Sequence, residues 1–203
     1  SWLTENENEK VLLICRTRTL VGEIYEAVQE HINLNLSQFH EGLNLLQRDR
    51  QAAYFADPEG ARVLLCSEIG SEGRNFQFAH HLILWDLPEN PELLEQRIGR
   101  LDRIGQTETI HIHLPYVPNS AEEVWARFYD QGLGIFQQPV PTALILAHTY
   151  GEALQKQVQE FDSDALQTLV SEIAEARANL GEKLENGYLR LLARNSCKPG
   201  RSE

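Results

Sequence analysis

The chain has 203 residues, 42% hydrophobic and 24% charged, enough apolar material for one large domain or a medium domain with an appendage. No apolar run approaches the ~18–20 residues of a membrane span, and the polar, acidic residues 1–10 do not form a signal peptide. A formal charge of −12 argues against a free-standing, non-specific nucleic-acid binder, whose affinity comes mainly from neutralising phosphates. A local basic cleft stays open, because arginine outnumbers lysine and its fork suits phosphate.

The chain lacks methionine and starts with serine, which reads as a segment excised from a longer protein. Cys15, Cys66 and Cys197 are an odd set without metal-ligand spacing, which fits a reducing cytoplasm. The first two close apolar runs, where thiols behave as small buried hydrophobes.

Residues 10–15 (KVLLIC) predict a buried strand, and 20–32 a helix through Leu20, Ile24, Ala27 and Val28. A second strand follows at 34–39 and a helix at 45–55 with Arg48 and Arg50 on its polar side. Residues 62–67 (RVLLCS) and 81–85 (HLILW) are two further strands, the second ending at Asp86. Asn90 and Pro91 are a strong helix start, an amide-accepting cap before a proline that sacrifices no hydrogen bond. That helix is expected to run to Arg100 and beyond, with a last strand at 109–114. Strands separated by helices imply a parallel sheet covered on both faces.

Near Pro118 the pattern changes, giving an expected division into 1–118 and 119–203. Residues 120–128 read as a helix with a capping box from Ser120 and Glu123. From 142 to 193 no strand pattern remains. Leu166, Leu169, Val170, Ile173, Leu180, Leu184 and Leu191 recur as an amphipathic helical stripe, weakened locally by Gly181 and Gly187.

The most informative stretch is QRIGRLDRIGQ (96–106). If it is helical, Gln96, Arg100 and Arg103 share one face, and Gly99 lets a ligand approach beside Arg100. Two permanently charged guanidiniums suit a polyphosphate whose charge grows during transfer. The plainer reading is a surface helix with ion pairs to Glu92, Glu95 or Asp102. A second stretch, CSEIGSEGRN (66–75), leaves a buried strand at the carboxyl edge of the sheet, where open α/β folds bind ligands. Gly70 and Gly73 permit backbone shapes that expose amides to phosphate, although many glycine turns merely turn. His111 and His113 alternate on one strand but lack a third metal ligand, so no metal site is expected. No G-x-x-x-x-G-K-[ST] phosphate loop is present.

Taken together, the two stretches resemble motifs V and VI of SNF2-type superfamily 2 ATPases. Residues 82–91 (LILWDLPENP), 10–17 and 39–48 resemble the neighbouring blocks, so the likeness spans about 10–114. Within the family, segments 66–78, 93–106, 110–116 and 127–136 resemble a bacterial subgroup associated with RNA polymerase. The resemblance implies the C-terminal, RecA-like three-layer α/β lobe of a nucleic-acid-dependent translocase, followed by a helical appendage. It implies ATP with Mg2+ held by a missing N-terminal lobe, so this chain alone is expected to be inactive.

The roles it implies are Arg103 and Arg100 at the γ-phosphate, Arg103 being the better finger, and Gln96 positioning nucleotide or water. Gly73 and Gly70 offer backbone contacts and Asn75 lies near the sugar. Ser67 touches the phosphate backbone of the tracked strand, with Thr17 and Arg48 as weaker contacts. Asp86 is read as a structural or interlobe residue. The implied partners are double-stranded DNA or a DNA/RNA hybrid and RNA polymerase, in a bacterial cytoplasm near the nucleoid. A non-catalytic, polymerase-docking module and a general superfamily 2 helicase lobe are the alternatives.

Overall fold

The computed structural model describes residues 9–68, 76–102 and 105–196, with side chains through 187. The chain divides into two compact units, Ser1–Val117 and Pro118–Glu203.

In the first unit, β1 (Val11–Cys15), β2 (Leu36–Phe39), β3 (Val63–Ser67), β4 (His81–Leu84) and β5 (His111–His113) form a parallel sheet in the order β2-β3-β1-β4-β5. β1 and β3 are buried at every position, as expected of central strands covered on both faces. Alternation sends Val11, Leu13 and Cys15 to one face with Leu36, Val63 and Leu65, where Val21 and Ile24 of α1 (Arg18–His31) pack. Elsewhere in the unit Phe39, Phe76, Phe55 and Phe78 make edge-on and tilted ring contacts at 5.3–6.4 Å, Phe55 coming from α2 (Leu45–Ala56). Cys15 and Cys66 are buried, and burial, reinforced by the charge of Asp86, pushes the Cys15 thiol up to about 12.

Two local expectations need correction. The helix after Asn90, α3, is Pro91–Ile98 and stops before Arg100. Beyond Ile98 the backbone tightens into three-residue turns: Arg100 N donates to Arg97 O at 3.2 Å and Leu101 N to Ile98 O at 3.1 Å. Gly99 favours this ending because it gains little from staying helical. Gln96 and Arg100 therefore do not lie on one unbroken helical face. The capping box at Ser120 also fails: Glu123 reaches back to the amide of Asn119 at 2.8 Å, and the Ser120 hydroxyl donates to Glu122 instead.

Beside the edge strand β5, His81 of β4 is 8% exposed and stacks on His111 at 4.8 Å and on His113 at 5.4 Å. Its Nδ1 lies 3.1 Å from His113 Nε2, and its Nε2 lies 3.7 Å from Glu9. Burial, followed by the charge of His111, lowers the pKa of His81; His113 and His80 act in the same sense and Glu9 opposes them. His113 is lowered too, by burial and then His111. Folding therefore favours the neutral rings. Their contribution is complete above the ordinary histidine value of 6.5 and is lost as pH falls from there through the lower folded values. Amide protection of β5, corrected for intrinsic exchange, is expected to drop on acidification below that value. His81→Phe, which keeps an aromatic ring, should flatten the response; protection unchanged by pH in the wild-type chain would contradict the argument.

The second unit holds α4 (Ala121–Arg127), a π-helical turn at Phe128–Leu133, α5 (Ala143–Gln159) and α6 (Ser163–Ser196). Leu166, Val170 and Ile173 of α6 are buried, whereas Leu184 is 52% exposed, so among the described side chains the expected stripe is buried in its N-terminal part and exposed at Leu184. Gly132 fits against Ile173, where a Cβ would approach the isoleucine to 3.2 Å. Arg177 donates to Leu133 O at 2.5 Å, satisfying a carbonyl that the wide turn leaves over.

Candidate nucleotide and nucleic-acid interface

The carboxyl ends of four neighbouring strands bring the candidate residues of the first unit to one edge. Thr17 follows β1, His40–Gly42 follow β2, Ser67 ends β3, and Asp86 follows β4. Thr17 is exposed and caps α1, its hydroxyl accepting from Leu20 N at 3.2 Å. Ser67 is 1% exposed and donates to Glu41 Oε2 at 2.6 Å. Arg48, on the first turn of α2, is half-buried and donates to Leu43 O and Glu41 O, both at 3.0 Å. Arg18 lies against Gly42, where a Cβ would come within 2.5 Å of its Nη1. The Ser67 hydroxyl thus meets the Glu41 carboxylate on a loop whose backbone carbonyls hold the Arg48 fork and whose Gly42 lies against Arg18. The Ser67 bond, first, and His40 and Arg18 hold the Glu41 carboxyl below its ordinary range, although burial opposes them. Burial and then Arg18 lower His40, whose Nδ1 accepts from Gly42 N at 3.1 Å.

Behind this edge lies an arginine for which the sequence reading gave no role. Arg97 is 1% exposed. Its Nε and Nη2 donate to Glu68 at 3.1 and 2.5 Å, and its Nη1 and Nη2 donate to Asp86 Oδ1 at 3.1 and 3.0 Å. Nη1 also reaches Asp86 O at 2.5 Å. The other oxygen of Asp86 accepts from Arg16 N at 2.8 Å. One guanidinium thereby ties α3 to the residues that follow β1, β3 and β4, and Asp86 takes a structural place. Burial disfavours the charge of Arg97, but the bond to Glu68 and the two carboxylate charges outweigh it, and its pKa is raised. The signal was in the spacing: Leu94, Arg97 and Leu101 stand three and four residues apart, and both leucines are fully buried.

Of the nucleotide candidates, Gln96 is exposed on the last turn of α3. Arg100 is 8% exposed, and its carbonyl accepts from Phe76 N at 3.1 Å. Arg103, Gly70, Gly73 and Asn75 lie outside the described residues. Arg97, which was not among the arginines considered for ion pairs with Glu92, Glu95 or Asp102, pairs with Glu68 and Asp86. Among the described residues no three His, Cys, Asp or Glu side chains converge so as to hold a metal ion.

Residues 1–105 match the helicase conserved C-terminal domain, and residues 109–203 match the C-terminal region of the RNA polymerase recycling family. The chain is 46% identical over 207 aligned residues to the RNA polymerase-associated protein RapA of Pseudomonas putida, covering 100% of this chain and 22% of that protein. It therefore spans about a fifth of the length of this relative. Among solved structures, it resembles the C-terminal part of the Fun30 ATPase domain, with a TM-score of 0.55, 18% identity, and 79% of this chain and 51% of that one covered. It also resembles domain 2 of the DEAD-box helicase Mss116p, with a TM-score of 0.55, 16% identity and coverage of 88% and 78%. At these identities the two structures establish the fold, a RecA-like helicase lobe with a helical C-terminal part. No helix among the described residues is long and apolar enough to cross a membrane.

Proposed function

Because this chain belongs to the family of helicase conserved C-terminal domains, we propose that it is the second motor lobe of a longer SNF2-type translocase that works with RNA polymerase. ATP and Mg2+ are held by a first lobe, and this lobe completes the site from the opposite side. Arg103, with Arg100, offsets the charge that grows on the γ-phosphate, and Gln96 positions nucleotide or water. Gly70, Gly73 and Asn75 approach the nucleotide. Ser67, Thr17 and Arg48 grip the phosphate backbone of a DNA duplex or DNA/RNA hybrid. Closing of the lobes on ATP and loosening after hydrolysis move the protein along that strand, in a bacterial cytoplasm.

The observation that carries this reading is the convergence of Thr17, Ser67 and Arg48 on one strand-end edge of a helicase lobe. The chain has no phosphate loop of its own. The isolated 203-residue chain is therefore expected to show no ATP turnover, while the longer protein turns ATP over when nucleic acid is added. Turnover by the isolated chain, abolished by Arg103→Ala, would overturn this division of labour.

A second reading, docking of the helical unit on polymerase, is favoured by the match of residues 109–203 and by the exposure of Leu144, Ile145 and Leu184. Polymerase binding that survives in ATPase-dead variants, but is lost when these three become serine, would support it alongside the motor.

A further inference from the structure

We propose that Glu41 occupies the seat of a backbone phosphate at Ser67, acting as a built-in competitor that nucleic acid must displace. The inference deepens the nucleic-acid reading given above and rests on it. Ser67 is almost fully buried, yet its hydroxyl is directed at a carboxylate from a residue that is itself exposed. Glu41 thus reaches inward from the surface loop between β2 and α2. Around that loop stand the donors a phosphodiester would use: the Ser67 hydroxyl, the Arg48 fork on the loop carbonyls, and the Arg18 guanidinium against Gly42.

A carboxylate and a phosphodiester each bring one negative charge and oxygens that accept charge-assisted hydrogen bonds. Exchange of one for the other keeps the local charge balanced. No backbone break is required, because an exposed glutamate can rotate to water. At rest, Glu41 accepts from Ser67 and offsets the nearby charge of Arg18, while Arg48 is held by the loop carbonyls, so the edge needs no ligand to be stable. The same contact sets a threshold that an incoming strand must exceed, and repulsion by an unmoved Glu41 excludes a partly seated phosphate. This assigns Glu41 a control over affinity, distinct from the direct contacts of Ser67 and Arg48.

The test compares Glu41→Gln, Glu41→Ala, Ser67→Ala and the Glu41→Gln/Ser67→Ala double variant in the 203-residue chain at fixed, low ionic strength. Probes are a short fluorescent DNA duplex, the corresponding DNA/RNA hybrid, and ATP. Both Glu41 variants should bind one or both duplexes about tenfold more tightly, the scale of one charge-assisted hydrogen bond. ATP binding should not change, and the preferred duplex identifies the natural strand pair. The gain should vanish in the Ser67→Ala background. A gain that persists there would mean Glu41 acts through general charge and would overturn the proposal. A gain confined to ATP would overturn it as well. If Ser67→Ala weakens duplex binding while neither Glu41 variant tightens it, Glu41 is only a scaffold and the nucleic-acid reading survives. If no form binds either duplex, that reading fails and the competitor role fails with it.

Discussion

Arg103→Ala in the longer protein is expected to slow nucleic-acid-stimulated ATP hydrolysis by about 10³–10⁵-fold, the range known for arginine fingers. Such a residue acts on charge that develops only as the phosphoryl group leaves. The loss should therefore fall mainly on kcat, with KM for ATP moving little. Arg103→Lys should rescue poorly, since an ammonium cannot reproduce the planar fork. Single-turnover measurements would separate chemistry from product release. Arg100→Ala offers a contrast: this side chain is only 8% exposed, so its removal should lower stability as well as rate. A kcat unchanged by Arg103→Ala would remove the finger from the mechanism.

Arg97→Ala is expected to cost about 3–5 kcal/mol of folding stability, as when one partner of a buried ion pair is removed. The change leaves Glu68 and Asp86 facing each other across the vacated space. The side chains of these carboxylates are 23% and 21% exposed, so water recovers part of the loss and the lower end of that range applies. Because domains are stable by only about 5–15 kcal/mol, the urea midpoint should fall far. Arg97→Lys should fall nearly as far, because a single ammonium cannot span Glu68 and both acceptors of Asp86. A midpoint for Arg97→Ala equal to that of the wild type would show that the network contributes nothing net.

Much of the fold could be read directly. Continuous apolar runs marked β1 and β3 because these strands are buried on both faces and need no alternation. The Asn90–Pro91 start placed α3 correctly, since capping is a local property of two residues; the Asn90 side chain does accept from Glu92 N. The end of α3 was harder to place. Gly99 is compatible with both a helix and a turn, and the anchoring of Arg97 to Glu68 and Asp86 is non-local. The failed box at Ser120 has a similar cause, a competition between neighbouring acids that spacing does not resolve. In the candidate site, Thr17, Ser67 and Arg48 are expected from the family resemblance, whereas Glu41 carries no expectation of its own. The role proposed for Glu41 depends on a loop and a strand end, 26 residues apart in sequence, meeting at a single hydrogen bond. The helical stripe at Leu184 predicted burial from periodicity alone, and periodicity does not say how far the packing partner extends.

Guanidiniums from this lobe are proposed to complete a triphosphate site built mostly by another. The most direct measurement is the structure of the longer protein trapped with ADP, a metal-fluoride mimic of the departing phosphoryl group and duplex nucleic acid. Arg103 is expected within hydrogen-bonding reach of the fluoride ligands, with Arg100 beside it. Both arginines turned back onto carboxylates of their own lobe, with the mimic contacted only by the first lobe, would contradict it.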